Sequence, residues 1–415
     1  MLKKLFPAIL IVLCTTTALP ARAGGLWLSE YNQPTMGRAG AGEEAGNDDA
    51  SDAFLNPASM SRHKESQLMA AGGLILPEVE FDVERGSLLN GEGDGGDAGG
   101  LTPSASIFYS RPINDAWTFG IGGLALTGSA LDYDDDWVGR FEAQDVEMVV
   151  VGVIPSIAFK VTDKFSLGLA VPVMYSNLQL DIAVPDIGSA GEGEGKAEID
   201  GDDVQVAAGV SFHYQLSERT AFGGRATSKF EFEYDGDVDA RYRGQIGVST
   251  ELTLASIARL GLSHAFNDRW SGYASVGWDN WSQMDEVLLT TDARGLSLPR
   301  KWEDTYHYAL GAEYRLDDQW SLKGGVAYDT NPVDKMDRTA DMPIDRQVRY
   351  ALGADYLRES GMTISGSLVY ADYGDAEISN SGDRGLAGFS GEYQTNQIWF
   401  ASVAFNWPMG GGARH

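Results

Sequence analysis

Side chains able to do chemistry are few in this sequence and do not gather. The five histidines are His63, His213, His264, His307 and His415. A hydrolytic site needs a nucleophile or an activated water beside a histidine and a carboxylate. His213, His264 and His307 sit in separate strand-like segments without such a motif, His63 lies in the N-terminal segment ahead of the strands, and His415 is in the C-terminal tail. The stretch Gly191–Ala197, GEGEGKA, misses a phosphate loop at both ends, with Ala190 in place of the first glycine and Ala197 in place of Ser or Thr. Acidic runs at Gly91–Gly100 and Asp200–Asp203 carry oxygen ligands of the kind divalent cations take. Their density of like charge reads instead as solvated, self-repelling loop. The sequence predicts no catalytic residue, no metal site, no cofactor and no enzyme.

Composition narrows the class further. Sixty acidic residues against 31 basic ones give a formal charge of −29, the wrong sign for a nucleic-acid partner. No apolar run beyond the N-terminus is long enough for a transmembrane helix. Lys3 and Lys4, the apolar run Leu5–Leu19 and the site Ala21-Arg22-Ala23 predict an export signal over 1–23. The single cysteine, Cys14, falls inside that signal behind bulky Val12 and Leu13, so neither lipidation nor a disulfide is expected.

Past Met60 the chain breaks into segments of roughly ten residues with period-two alternation. In Thr305–Leu316, Tyr306, Tyr308, Leu310, Ala312, Tyr314 and Leu316 share one face, while His307, Ala309, Gly311, Glu313 and Arg315 share the other. Alternation alone fits a soluble sandwich or a membrane barrel. The connections separate the two. Short turns at Asn114-Asp115, Thr162-Asp163, Ser217-Glu218, Asn267-Asp268, Asp317-Asp318 and Glu359-Ser360 alternate with long Gly/Asp/Glu-rich stretches at 77–102, 127–145, 182–201, 235–249, 285–304, 331–346 and 374–393. That pattern belongs to outer-membrane barrels, with short periplasmic turns and long external loops.

Fourteen strands follow, near 67–76, 103–111, 117–126, 146–161, 165–181, 202–216, 220–234, 250–266, 270–284, 305–316, 320–330, 347–358, 362–373 and 394–407. The fold class is all-β, a 14-stranded antiparallel transmembrane barrel. Trp117, Phe165, Trp270 and Trp320 each follow a short turn, where an interfacial aromatic girdle belongs. A barrel of this size is too wide for its own side chains to fill. The leftover segment 24–66 has no period of its own and cannot build a core, so it is expected to fill the lumen. The domains are then signal 1–23, plug 24–66, barrel 67–407 and tail 408–415.

The third strand departs from the others. Gly120, Gly122, Leu124 and Leu126 make its inner face apolar, and Gly123 and Gly128 weaken it further. Interior glycines mark bulges, kinks or close backbone approach. Two readings stand: tight packing against the plug, or a wall opened near Gly120–Gly128. Pro155 in the fourth strand lacks a donor and predicts an interrupted ladder there.

The plug carries Gly25-Leu26-Trp27-Leu28-Ser29-Glu30-Tyr31, Met36-Gly37-Arg38-Ala39, Gly42-Glu43, Asp48-Asp49-Ala50 and Asn56-Pro57-Ala58. With these residues it resembles the N-terminal hatch of the FadL family of outer-membrane transporters for long-chain fatty acids and other hydrophobic compounds. Further along, Pro112-Ile113-Asn114-Asp115, Trp281-Ser282-Gln283, Ala309-Leu310-Gly311, Trp320, Ala327-Tyr328-Asp329, Pro332-Val333, Pro343 and Asp345-Arg346 continue the likeness. The resemblance implies passive uptake of hydrophobic molecules, fatty acids or neutral hydrocarbons, with sideways release through a gap beside a kink in the third strand. Gly25, Leu26, Trp27, Leu28, Asn56, Pro57 and Ala58 would then line or gate the path; Gly120, Gly122, Gly123, Leu124, Leu126 and Gly128 would border the lateral opening.

Expected partners are the hydrophobic cargo, the bilayer and lipopolysaccharide of a Gram-negative outer membrane, with no nucleic acid and a monomeric chain. One departure stands out. Family members that carry fatty acids place basic residues near the carboxylate, where this chain has Asn177 and Glu303. Arg225, Lys229 and Arg259 are expected to pair with Glu231, Glu251 or hatch carboxylates rather than replace them. The alternative reading is a polar diffusion porin or a surface-interaction barrel whose plug is purely structural.

Overall fold

A computed structural model describes residues 29–86, 93–184, 195–240, 244–284, 286–291, 295–379 and 388–410. The signal and Gly25–Leu28 lie outside the described residues. Short helical turns, Pro34–Arg38, Glu43–Ala45, Asp52–Leu55 and Pro57–Arg62, make up the hatch. The wall follows: β1 (Gln67–Arg85), β2 (Thr102–Pro112), β3 (Trp117–Asp132), β4 (Asp145–Lys160), β5 (Phe165–Ala170), β6 (Val173–Val184), β7 (Gly195–Val206), β8 (Gly209–Ser217), β9 (Thr220–Thr227), β10 (Phe230–Ala240), β11 (Gly244–Leu254), β12 (Ile257–Ala265) and β13 (Trp270–Asp279). It continues through β14 (Glu286–Thr291), β15 (Gly295–Pro299), β16 (Thr305–Arg315), β17 (Trp320–Asp329), β18 (Gln347–Leu357), β19 (Thr363–Asp372), β20 (Ile378–Ser379) and β21 (Ser390–Pro408).

The periplasmic half is a closed ring of antiparallel ladders. β1, β2, β3, β4, β5, β8, β9, β12, β13, β16, β17, β18, β19 and β21 pair in that order, and β21 returns to β1. These are fourteen spans, the number alternation and connection length predict. Exposed Leu74, Val210, Leu260, Leu310 and Leu352 face outward, as a lipid-contacting surface requires.

Side chains of the short turns cap their own backbone. Asn114, Thr162, Asn267 and Asp317 each accept two N–H donors from residues two and three ahead. The girdle aromatic that follows packs against a ring directly opposite on the next strand: Trp117 with Phe159, Phe165 with Tyr214, Trp270 with Tyr314 and Trp320 with Tyr356.

Above the ring the wall differs from expectation. Four consecutive spans break at one level, around Val171–Pro172, Ala207–Ala208, Ser228–Lys229 and Ala255–Ser256. Pro155 and Pro172 explain the first: the β4 ladder passes from β5 at Ser156 to β6 at Val153 and skips the proline. Beyond the breaks, among the described residues, β10, β11, β14 and β15 pair only with one another. β10 lies across the inner face of β6 and β7. A Cβ on lumen-facing Gly201 would stand 2.8 Å from Tyr234 Cβ, the Tyr234 hydroxyl meets Ser176 Oγ at 2.6 Å, and Glu233 N donates to the Asp203 carboxylate at 3.0 Å.

Several strands outrun their expected ends, with β1 reaching Arg85, β3 Asp132, and β21 starting at Ser390. The alternation of β1 inverts at Pro77. Leu74 and Leu76 point outward, while beyond them the outward places go to Glu78, Glu80 and Asp82 and the buried ones to Val79 and Phe81. The strand has left the lipid and there packs a soluble-type core. Phe81, Trp137, Phe389 and Tyr393 join in that external cluster, with Tyr133 stacked on Trp137 at 3.9 Å.

Candidate functional site

The hatch lies flush on the inner wall because glycines leave room for its backbone. A Cβ on Gly223 would run into the Glu44 carbonyl, on Gly325 into the Arg38 carbonyl, and on Gly168 into the backbone of Pro57 and Ala58. Gly37 of the hatch meets Gly353 of β18 the same way, with a Cβ 2.8 Å from its Cα. Gly120 also faces the hatch, but through side chains: a Cβ there would stand 2.5 Å from Met60 Sδ and 2.6 Å from Ser156 Oγ.

Polar bonds then fasten the hatch. Asn56 donates to the carbonyls of Phe212, at 3.0 Å, and Glu44, and its own oxygen accepts from Ala58 N. The Ala58 N–H also reaches Ser211 Oγ at 3.0 Å. Glu43 takes Arg225 at 3.2 Å and Thr35 at 3.2 Å, and Glu44 takes Ser275 Oγ at 2.6 Å. The Arg38 guanidinium lies 3.8 Å over the Tyr273 ring. Glu30 joins Arg349 at 3.2 Å, and Arg349 also holds Asp329, which binds His307 at 2.7 Å. Burial and then the neighbouring Glu44 push the Glu43 carboxyl up to about 7, against the pull of Arg225 and His307. Burial and Asp52 likewise raise Asp49 to about 6.

Above the hatch the lumen is filled by one contiguous apolar cluster: Tyr31 and Leu55 of the hatch, Leu124, Leu126, Met148 and Met174 of the wall, Phe230, Phe232 and Tyr234 of β10, and Trp281, Met284 and Trp302. Phe54 meets Tyr31 edge-on at 5.1 Å. Methionines are unbranched and repack readily, which makes a cluster of this kind adaptable. Trp281 Nε1 and, at the start of β16, Thr305 Oγ1 are fully buried without a hydrogen-bond partner among the described residues. Such an orphan costs about 1–3 kcal/mol.

The wall beside Leu124 and Leu126 is not continuous. The β2–β3 ladder runs from Pro112↔Thr118 up to Ile107↔Gly123 and stops. It resumes only as the isolated bridge Gly99↔Leu131 and the bond from Asp132 N to Ala98 O. Eight residue steps on each strand lie between, a slot roughly 26 Å long at strand rise. A bulge between Ala125 and Thr127 in the β3–β4 ladder bends the free edge, and Gly128 sits opposite Val149 just above it. Gly122 lies under Phe108, and Gly123 faces outward against Ile107. The β2 edge of the slot holds the hatch: Ser106 Oγ donates to Tyr31 O at 2.6 Å, and Asn32 Nδ2 to Ser104 Oγ at 3.1 Å.

Sequence reasoning placed Asn177 and Glu303 where a carboxylate would be met. The structure corrects this. Asn177 follows exposed Tyr175 and Ser176, whose side chain turns inward, and it binds Gly201 O on β7; Glu303 is exposed. Arg225 pairs with Glu43 and Lys229 with Glu231, as expected, whereas Arg259 pairs with Asp279 at 2.5 Å rather than with Glu251 or the hatch. Outside the membrane, burial pushes Asp341 up but Arg300, at 2.6 Å, more than offsets it and holds the carboxyl below its usual range. Trp281 and Trp302 were missed as members of the apolar cluster, because strand alternation carries no signal in a loop.

The profile of the family described as "Outer membrane protein transport protein (OMPP1/FadL/TodX)" matches residues 12–407. The chain belongs to this family. The long-chain fatty acid transport protein of Salmonella typhi is 24% identical over 430 residues, covering 93% of this chain and 97% of that one. The crystal structure of a Pseudomonas aeruginosa FadL homologue matches with a TM-score of 0.85 at 22% identity, over 93% of this chain and 100% of that chain. That of the Ralstonia pickettii toluene transporter TbuX matches at 0.65 and 18%, over 90% and 97%. This FadL-type barrel resides in the outer membrane, in a family made up of transport proteins rather than enzymes.

Proposed function

We propose that the protein is a passive uptake channel for uncharged hydrophobic molecules, which leave the lumen sideways through the β2–β3 slot into the bilayer. The observation that carries the reading is the slot itself, which opens the wall beside apolar Leu124 and Leu126 with the hatch end at Tyr31 tied to its edge. Gly122, Gly123, Leu124, Leu126 and Gly128 border this opening, and Asn56-Pro57-Ala58 anchors the gate. The relatives' names, a fatty-acid and a toluene transporter, support a greasy cargo. Release into periplasmic water would forfeit roughly 0.8 kcal/mol of burial per CH₂, and release into lipid avoids that loss. One chain suffices for the route, surrounded by bilayer and lipopolysaccharide.

The test uses cysteines introduced at Thr102 and Leu126 on the two edges and joined by a short bis-maleimide. Bridging should abolish uptake of labelled hydrocarbon in a folded barrel, and uptake should survive when only one cysteine is present. Undiminished uptake through the bridged slot overturns the lateral route. A large steady ion conductance in planar bilayers would favour the polar-porin alternative.

A further inference from the structure

Resting on that reading, we infer that the slot opens onto the external leaflet alone, so that cargo is handed to the acyl chains of that leaflet and reaches the other by its own diffusion. The inner boundary of the hydrocarbon is marked on the chain itself. Ile113, just past the end of β2, donates its N–H to the carbonyl of the girdle residue Trp117 at 2.8 Å. The outer boundary is a polar row of cross-strand partners, Asp372, Gln397 and Glu78, directly above the outward-facing row Tyr370, Trp399 and Leu76. The Tyr370 hydroxyl reaches up to Gln397 at 2.8 Å. Thr102 pairs with Ile75, which sets Leu101 beside Leu76, just below the polar row. Leu101, Ile107 and Ile113 are all exposed apolar side chains of this one edge. Ile107, whose rung with Gly123 is the foot of the slot, lies six residues from each of the other two.

A strand rising about 3.3 Å per residue at a tilt of about 40° climbs roughly 2.5 Å per residue. Six residues thus carry the foot roughly 15 Å above Ile113, the middle of a hydrocarbon layer about 25–30 Å thick. The rung Gly99↔Leu131 closes the slot at the polar row. A Cβ on Gly99 would run into the Pro77 carbonyl, and Ala98 N donates to Val79 O at 2.9 Å. Below the foot the wall is shut. The β2–β3 ladder runs without a gap from Ile107↔Gly123 to Pro112↔Thr118, and the hatch backs it, with Met60 beside Gly120 and His63 Nδ1 2.8 Å from Ser110 Oγ. A molecule leaving through the slot therefore meets only the outer half of the bilayer. A neutral hydrocarbon crosses the mid-plane unhindered, whereas a charged end would have to enter hydrocarbon unpaired, at high cost. The leaflet of release itself favours cargo without charge.

Depth is read by power saturation of nitroxide labels on Leu101→Cys, Ile107→Cys and Ile113→Cys, made singly in the full chain and reconstituted in phosphatidylcholine bilayers. Ile107 should read deepest, near the bilayer centre, with the other two shallow. Equal depths at Ile107 and Ile113 would put the foot at the inner surface and overturn the inference. Release is read with a diazirine-bearing tetradecane photolysed during uptake, comparing the free barrel with one bridged between cysteines at Thr102 and Leu126. Outward-facing Ala105, within the slot, should be labelled in the free barrel and lose that label on bridging, while exposed Phe119 and Ile121, below the foot, should be labelled equally in both. Bridge-sensitive labelling at Phe119 or Ile121, or none at Ala105, overturns the inference. Undiminished uptake through the bridged slot would instead remove the lateral-exit reading on which it rests.

Discussion

The hydroxyl of Ser106 on β2 donates to the carbonyl of Tyr31 at 2.6 Å, tying the end of the hatch to the edge strand of the slot. A shift of this edge therefore pulls on the hatch. Ser106→Ala should loosen that tie by about 1 kcal/mol, the usual net worth of such a bond. Faster hydrogen exchange at Tyr31 and Asn32, with exchange at Ala58 unchanged, is the expected result; uniform protection would mean that the bond does not hold the hatch end.

Glycines on the two faces of the wall separate seat from scaffold: Gly223 faces the hatch, and Gly366 shares the outward face of exposed Leu368. Gly223→Ala places a methyl against the Glu44 carbonyl and should cost about 1–3 kcal/mol through overpacking, seen as earlier thermal loss of the folded band and a leak conductance. Gly366→Ala on β19 meets nothing within 4 Å and should be neutral to slightly stabilising. Equal effects of the two would refute the seat.

Acid should seat the hatch more firmly. The folded pKa values of Glu43, about 7, and Asp49, about 6, both lie above the ordinary carboxyl range, so the native state binds these protons more tightly than the unfolded chain does. Their favourable contribution is full below the unfolded pKa and is lost as pH rises through 6 to 7. Limited proteolysis of the hatch should be slower at pH 5.5 than at pH 8, and Glu43→Gln should shrink the difference. A hatch cleaved faster in acid would contradict the sign.

Outside the membrane, Asp341→Asn leaves the Arg300 guanidinium buried beside a neutral partner and should cost about 3–5 kcal/mol locally. Replacing both, as Arg300→Met with Asp341→Leu, should recover much of it. Protease nicking near 339–342, read by mass spectrometry, distinguishes the two variants.

How much of this was legible in the sequence follows from what each residue faces. Thr305–Leu316 reads clearly because lipid lies on one side and the hatch on the other. Strand ends were less legible, since outside the bilayer the apolar face changes sides, as at Pro77, and a scan for one continuous phase stops there. Of the four breaks only the first carries a mark, in Pro155 and Pro172; Ala207-Ala208 and Ala255-Ser256 look like ordinary strand. The inward fold of β10 was hidden because Phe230, Phe232 and Tyr234 alternate as a lipid-facing strand would. Gly120 and Gly123 look alike in sequence, yet one yields to Met60 and the other faces outward beside the last rung of the β2–β3 ladder.

The four strands that pair only with one another also separate two selective pressures. Insertion into the membrane depends on the closed ring of ladders beneath, to which β10, β11, β14 and β15 contribute no rung. Substitutions along Phe230, Phe232 and Tyr234 alter the apolar cluster without disturbing a strand pairing of that ring. On the proposed function, what the lumen accepts is then free to drift within an unchanged barrel, with no relearning of how to assemble.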